Sequence, residues 1–200
     1  MIVLEGCDMA GKSTLAQALF ELIPAYTHGK AAPMVRHFTK PPKDFDKYWG
    51  YHNCVQRDVI LDRFHMSQLV YRRVSSENHT LTPFKYDLVD AAITRVGGIV
   101  VVLCPPDDII VDRWSKMTDG RKEMYSLDFV LKVNCVYQHL VKAGADGTFI
   151  DGQGAYKPKI DLAFQYNTPT EDMARDIASL WWRNQCQLND IATQRLFSLD

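Results

Sequence analysis

Eight consecutive residues carry the clearest chemistry in this chain: Gly6-Cys7-Asp8-Met9-Ala10-Gly11-Lys12-Ser13 follow the spacing G-x-x-x-x-G-K-[ST]. The glycines let backbone amides turn inward on a polyphosphate, and a helix starting at the lysine adds the positive potential of its N-terminus. Lys12 can then reach the β and γ phosphates, and the Ser13 hydroxyl can ligate Mg2+. The expected ATP-binding set around the loop is Gly6, Asp8, Gly11, Lys12, Ser13 and Thr14. Cys7 reads simply as a small side chain in a tight loop.

Such a loop needs a strand before it and a helix after it, and the sequence supplies both. Short apolar runs at residues 1–4, 34–38, 59–61, 99–103 and 148–150 alternate with helix-length segments. This alternation predicts an α/β fold of three layers, the P-loop NTPase fold, with a five-stranded parallel sheet flanked by helices. Ile99-Val100-Val101-Val102-Leu103, introduced by Gly97-Gly98, has the continuous apolar pattern of a strand buried on both faces. A helix from Lys12 carries Leu15, Leu19, Leu22 and Ile23 on one stripe and is expected to stop at Pro24. Ser126 is suited to cap a second helix that ends at Gly144. Thr168-Pro169-Thr170-Glu171 reads as a capping box opening a terminal helix over about residues 169–190, with Trp181 and Trp182 as core or interface.

Composition narrows the function classes. Two hundred residues, 46% hydrophobic, can bury one core, and a single phosphate-loop domain over 1–200 is expected, with no repeat or linker. With 23 basic and 24 acidic residues the net charge is -1, so nucleic acid is an unexpected partner. Cys7, Cys54, Cys104, Cys135 and Cys186 are odd in number and never paired as Cys-x-x-Cys, and they read as buried thiols of a cytoplasmic protein. No apolar run approaches the roughly 18 residues of a membrane span, and no basic leader precedes the loop, so a soluble chain without a membrane partner is expected.

The loop and several downstream residues together resemble the thymidylate kinases, nucleoside-monophosphate kinases that convert dTMP to dTDP. Glu5-Gly6 precedes Asp8 and Ala10-Gly11-Lys12-Ser13-Thr14; Asp62-Arg63 leads into Ser67 and Tyr71; Asp119-Gly120-Arg121 is followed by Ser126-Leu127-Asp128-Phe129; and Ile150-Asp151 resembles the last strand and adenine loop. The likeness runs from Met1 to about Gly154. It implies Asp62 as a magnesium ligand beside Ser13, Arg63 as the acceptor-phosphate ligand, Asp8 near the acceptor 3′-hydroxyl, and Asp151 and Gly152 at the adenine. It also implies a lid over about residues 113–125. Because Met9 stands where the family's loop can carry an arginine, the catalytic charge falls to Arg121 first and Arg113 second. Lys12, Asp62, Arg63, Arg121 and Arg113 thus form the expected catalytic set, and a homodimer is implied by the family habit alone. Phage thymidylate kinases look similar around Pro41-Pro42 and Cys104-Pro105-Pro106, which implies a viral enzyme acting in a host cytoplasm.

Phosphoryl transfer asks for cations and positioning more than for an elaborate base. After the second strand stands His37-Phe38-Thr39-Lys40, with no carboxylate until Asp44, which favours a monophosphate acceptor over a nucleoside hydroxyl. The family's Arg-Glu-Pro-Gly stretch is absent here, so the acceptor base stays open between dTMP and a modified pyrimidine. The acceptor set is Asp8, Arg63, Lys40, Trp49, Gln68 and Tyr71; Tyr48 and Tyr51 are further candidate stacking rings, and Arg72 a further reader of base edges. His52 and His65 read as polar surface residues. Alternatives are a kinase acting on hydroxymethylated bases in DNA, a deoxynucleoside kinase, and a non-catalytic ATP-binding regulator.

Overall fold

The computed structural model describes residues 1–29, 33–38, 47–76, 81–118, 125–143, 148–151, 154–165 and 168–197. Five parallel strands form one sheet in the order β2 (Met34–His37), β3 (Val59–Asp62), β1 (Ile2–Gly6), β4 (Ile99–Leu103) and β7 (Leu162–Phe164). The three central strands are buried along their whole length, which is why they read as unbroken apolar runs. Edge strand β2 is largely exposed, which accounts for the polar residues in its run.

Helices cover the sheet on both faces. Helix α1 (Lys12–Tyr26) packs against the long terminal helix α7 (Thr170–Phe197), and α3 (His65–Ser75) packs against α6 (Leu127–Ala143). Between them lie α2 (Lys47–Asn53), α4 (Pro83–Arg95) and α5 (Asp107–Ser115). The core gathers the central strands with Leu15, Leu19, Leu69, Val133, Ile177 and Trp181. Burying each such aliphatic side chain contributes about 1.5–3 kcal/mol. Ser126 Oγ accepts from the Phe129 amide, as its expected capping role requires.

Four expectations are corrected. Helix α1 does not stop at Pro24 but runs through it to Tyr26, since a proline so near the C-terminus forfeits little and packing against α7 continues. The terminal helix extends past 190 to Phe197. The run at 148–150 is not the fifth strand of the sheet. Instead β5 (Phe149–Asp151) pairs antiparallel with β6 (Gly154–Tyr156) in a separate hairpin, and Leu162–Phe164 completes the parallel sheet beside β4. Three residues are too short a run for periodicity to choose between the two segments; what anchors β7 is Asp161, which takes the Val100 amide on its Oδ2 at 2.7 Å. Finally, Cys7 and Cys104 are buried thiols, but Cys54 and Cys186 are half-buried and Cys135 is exposed; all five are free.

Candidate active site

The phosphate loop bridges β1 and α1 through backbone shapes that its residue types dictate. Gly6 sits at φ +147, where a side chain would press within 2.3 Å of the Leu103 carbonyl, and Gly11 sits at φ +95. Met9 is also left-handed, at φ 68, and its carbonyl accepts from Arg113 Nη1 at 2.8 Å. Helix α1 starts with neither a side-chain cap nor an acidic residue in its first turn, so its positive end faces the loop uncompensated. Lys12 is buried and donates to the Cys7 carbonyl at 2.7 Å, folded back over the cradle. Burial, reinforced by Arg63, lowers its pKa, while Asp62 and Asp8 oppose that shift. Burial likewise pushes the Cys7 thiol up to about 12, so it is no nucleophile.

Opposite the loop, Asp62 ends β3 and is almost wholly buried. Its Oδ2 accepts from Ser13 Oγ at 2.7 Å and lies 3.0 Å from His37 Nδ1, while its Oδ1 is buried with no hydrogen-bond partner among the described residues. An orphaned carboxylate oxygen beside a serine hydroxyl is the hard-oxygen chemistry that magnesium takes, so these residues fit that ion. Arg63 follows in a left-handed conformation, φ 68, and its amide donates to the Leu4 carbonyl at 2.8 Å. Its guanidinium pairs with Asp8 Oδ1 and lies over the Tyr71 ring, 4.9 Å from the centroid. Tyr71 Oη donates to the other Asp8 oxygen at 3.0 Å. Burial works against the Arg63 charge, but Tyr71 and Asp8 outweigh it and hold its pKa above the ordinary arginine value.

Two cavities meet at Arg63. A cleft of about 460 Å³ runs over the phosphate loop past Asp62 and Arg113 to Thr168, Pro169, Thr170 and Met173 at the start of α7. A second cavity of about 110 Å³ is walled by Phe38, Tyr51, Phe64, Tyr71, Tyr125 and Phe129, with Ser67, Gln68, Arg72 and Ser75 among its polar groups. Tyr125 and Phe129 are stacked at 5.3 Å and 9°, and Tyr71 meets Tyr125 edge-on. The Gln68 Oε1 is buried without a hydrogen-bond partner.

The structure therefore brings together Gly6, Asp8, Gly11, Lys12, Ser13, Thr14, Asp62, Arg63 and Arg113, with Gln68 and Tyr71 in the adjoining pocket. The backbone of Asp151 ends β5 in the separate hairpin, while among the described residues the loop before α7 lines the cleft. The side chain of Asp151 lies outside the described residues. Gly152, Lys40 and Arg121 lie outside the described residues, as does the side chain of Trp49, whose backbone is in α2. His65 is fully buried and bonded to Asp90 at 2.7 Å, where a surface residue was expected. Sequence reasoning missed Tyr125, Phe129, Met173 and the buried Glu5 and Asn134. Asn134 donates to Pro105 and Asp107 and accepts weakly from Cys7 Sγ, tying α6 to the loop and to α5.

Fold and site together define a three-layer α/β protein of the phosphate-loop type, built on a five-stranded parallel sheet flanked by helices. No protein-family model and no curated protein sequence matches the chain. Among solved structures it is similar to the YorR protein of Bacillus subtilis in complex with phosphorylated GDP, at 20% identity and TM-score 0.63, covering 90% of this chain and 94% of that one. It is also similar to deoxyadenosine kinase from M. mycoides with bound dCTP, at 11% identity and TM-score 0.50, covering 88% and 97%. Among the described residues no helix is long and apolar enough to cross a membrane.

Proposed function

We propose that this chain is a nucleotide kinase that transfers the γ-phosphoryl group of ATP to a deoxynucleoside monophosphate, with dTMP or a modified pyrimidine nucleotide as acceptor. The observation that carries this reading is the sharing of Arg63 between the phosphate cleft and the aromatic pocket. A donor triphosphate over Gly6 to Thr14 and an acceptor base between Tyr71 and the Tyr125-Phe129 stack would direct both phosphates at that guanidinium. An acceptor phosphate oxygen attacks the γ phosphorus, the bond to the β-bridging oxygen breaks, and ADP leaves. Lys12 and Arg63 supply charge along that line, with Arg113 beside the loop and Arg121 as a further candidate from the lid. Asp62 and Ser13 would hold Mg2+, which neutralises phosphate charge when bound. The aromatic walls of the pocket and the buried Gln68 oxygen favour a planar base read on its edge. The fold likeness to a deoxyadenosine kinase agrees with nucleotide chemistry and leaves the acceptor open.

A nucleoside acceptor is the second reading, favoured by one observation. His37 ends β2 at the rim of the cleft and is paired with Asp62, an arrangement able to take a hydroxyl proton. ADP release measured across nucleosides, nucleoside monophosphates and double-stranded DNA, with Lys12→Ala as control, separates the readings. Turnover of a pyrimidine deoxynucleoside monophosphate at least tenfold above every nucleoside is expected. ATP binding without turnover of any acceptor would sink the kinase proposal.

A further inference from the structure

Glu5 is the most deeply buried acidic residue near the site, with no exposed surface, yet it lines neither cavity. A carboxylate removed from water this completely persists only where donors replace the water. Glu5 has four. Oε1 accepts from the Phe64 amide at 3.0 Å and the Met66 amide at 3.1 Å; Oε2 accepts from Ser67 Oγ and from Tyr137 Oη at 3.1 Å. Two of these donors are backbone groups at the start of α3, whose own cap position, Phe64, makes no side-chain cap bond. Glu5 therefore caps α3 from the neighbouring strand, with its charge at the positive end of that helix.

The residue gripped next to these amides is Arg63, held left-handed at φ 68, a conformation that disfavours every side chain but glycine and persists only where its surroundings enforce it. Leu4 holds the Arg63 amide from one side and Glu5 holds the two following amides from the other. Resting on the kinase reading above, we propose that Glu5 is a positioning residue: from the C-terminal end of the central strand β1 it fixes the 63–67 turn and so aims Arg63 at the acceptor phosphate. Tyr137 extends the same grip to α6, the helix that carries Phe129 of the acceptor pocket. Burial raises the Glu5 pKa, against the pull of His65, Ser67 and Tyr137.

Glu5→Gln keeps the shape and one acceptor oxygen for both amides, and the Ser67 and Tyr137 hydroxyls can turn to accept from the new NH2 group. Melting temperature should therefore hold or rise. Amide hydrogen exchange at 64 and 66 should quicken about tenfold, as a charge-assisted bond gives way to a neutral one, with residues 12–26 unchanged. The acceptor kcat/KM should fall about 10- to 100-fold while the KM for ATP stays within twofold. Ser67→Ala and Tyr137→Phe, each removing one donor, should show smaller losses of the same kind, which covers a poorly folding Glu5 variant. Unchanged exchange at 64 and 66, or equal losses toward ATP and acceptor, would overturn the proposal. A wild-type chain that turns over no acceptor would instead refute the kinase reading, and the exchange result would still decide whether Glu5 holds the turn.

Discussion

Ser13 Oγ donates to Asp62 Oδ2 across 2.7 Å, although 49 positions separate the two residues. The contact follows from sheet register: Leu4 pairs with Asp62, so the loop after β1 and the end of β3 face one another. Asp62→Asn preserves the shape and can still accept from Ser13, but removes the charge a cation would meet. The Mg2+ concentration for half-maximal rate should rise about 10- to 100-fold, with metal-free ATP binding unaltered. A titration of rate against Mg2+ checks this, and an unmoved curve removes Asp62 from the metal site.

Lys12→Met separates stability from function. Because burial lowers the Lys12 pKa, the folded chain holds this proton less tightly than the unfolded chain does. The resulting cost is fully present below the lowered value and fades as pH rises through it toward the ordinary lysine value. The ligand-free variant should thus melt at or above the wild-type temperature, by a margin that narrows toward alkaline pH. It should also lose the rise in melting temperature that ATP gives wild type. Parallel melting curves with and without ATP over a pH series decide it.

Arg63→Lys tests planarity as well as charge. The guanidinium both pairs with Asp8 and lies over Tyr71, which an ammonium cannot reproduce. Acceptor kcat/KM should fall about 10²- to 10³-fold, nearly as far as in Arg63→Ala. Restoration by lysine to within tenfold of wild type would reduce Arg63 to a simple charge.

Gln68→Leu removes an oxygen of the aromatic pocket that is buried and unpartnered among the described residues. The preferred acceptor should lose about tenfold in kcat/KM, roughly one net hydrogen bond, while poor acceptors change little. Selectivity ratios across pyrimidine and purine monophosphates measure it; a uniform loss over all bases would show that Gln68 only packs.

Much of the loop's shape was legible in the sequence because its geometry is local. Gly6, Gly11, Lys12 and Ser13 lie within one strand-loop-helix unit, where spacing alone sets the backbone turn between β1 and α1. The buried run at Ile99–Leu103 was equally plain, since a central parallel strand is apolar on both faces. Tertiary structure decided the rest. Which of two short apolar segments joined the sheet depended on Asp161 meeting the Val100 amide, a contact across 61 positions that no period records. The start of α7 reaches the cleft over the phosphate loop, which no local spacing in the sequence signals. Tyr125, Phe129 and Gln68 form a pocket only because α3 and α6 pack together, and Glu5 reads as one more strand residue until α3 is laid against it. A sequence states local spacing directly; which distant side chains share a cavity is fixed only by how the layers pack.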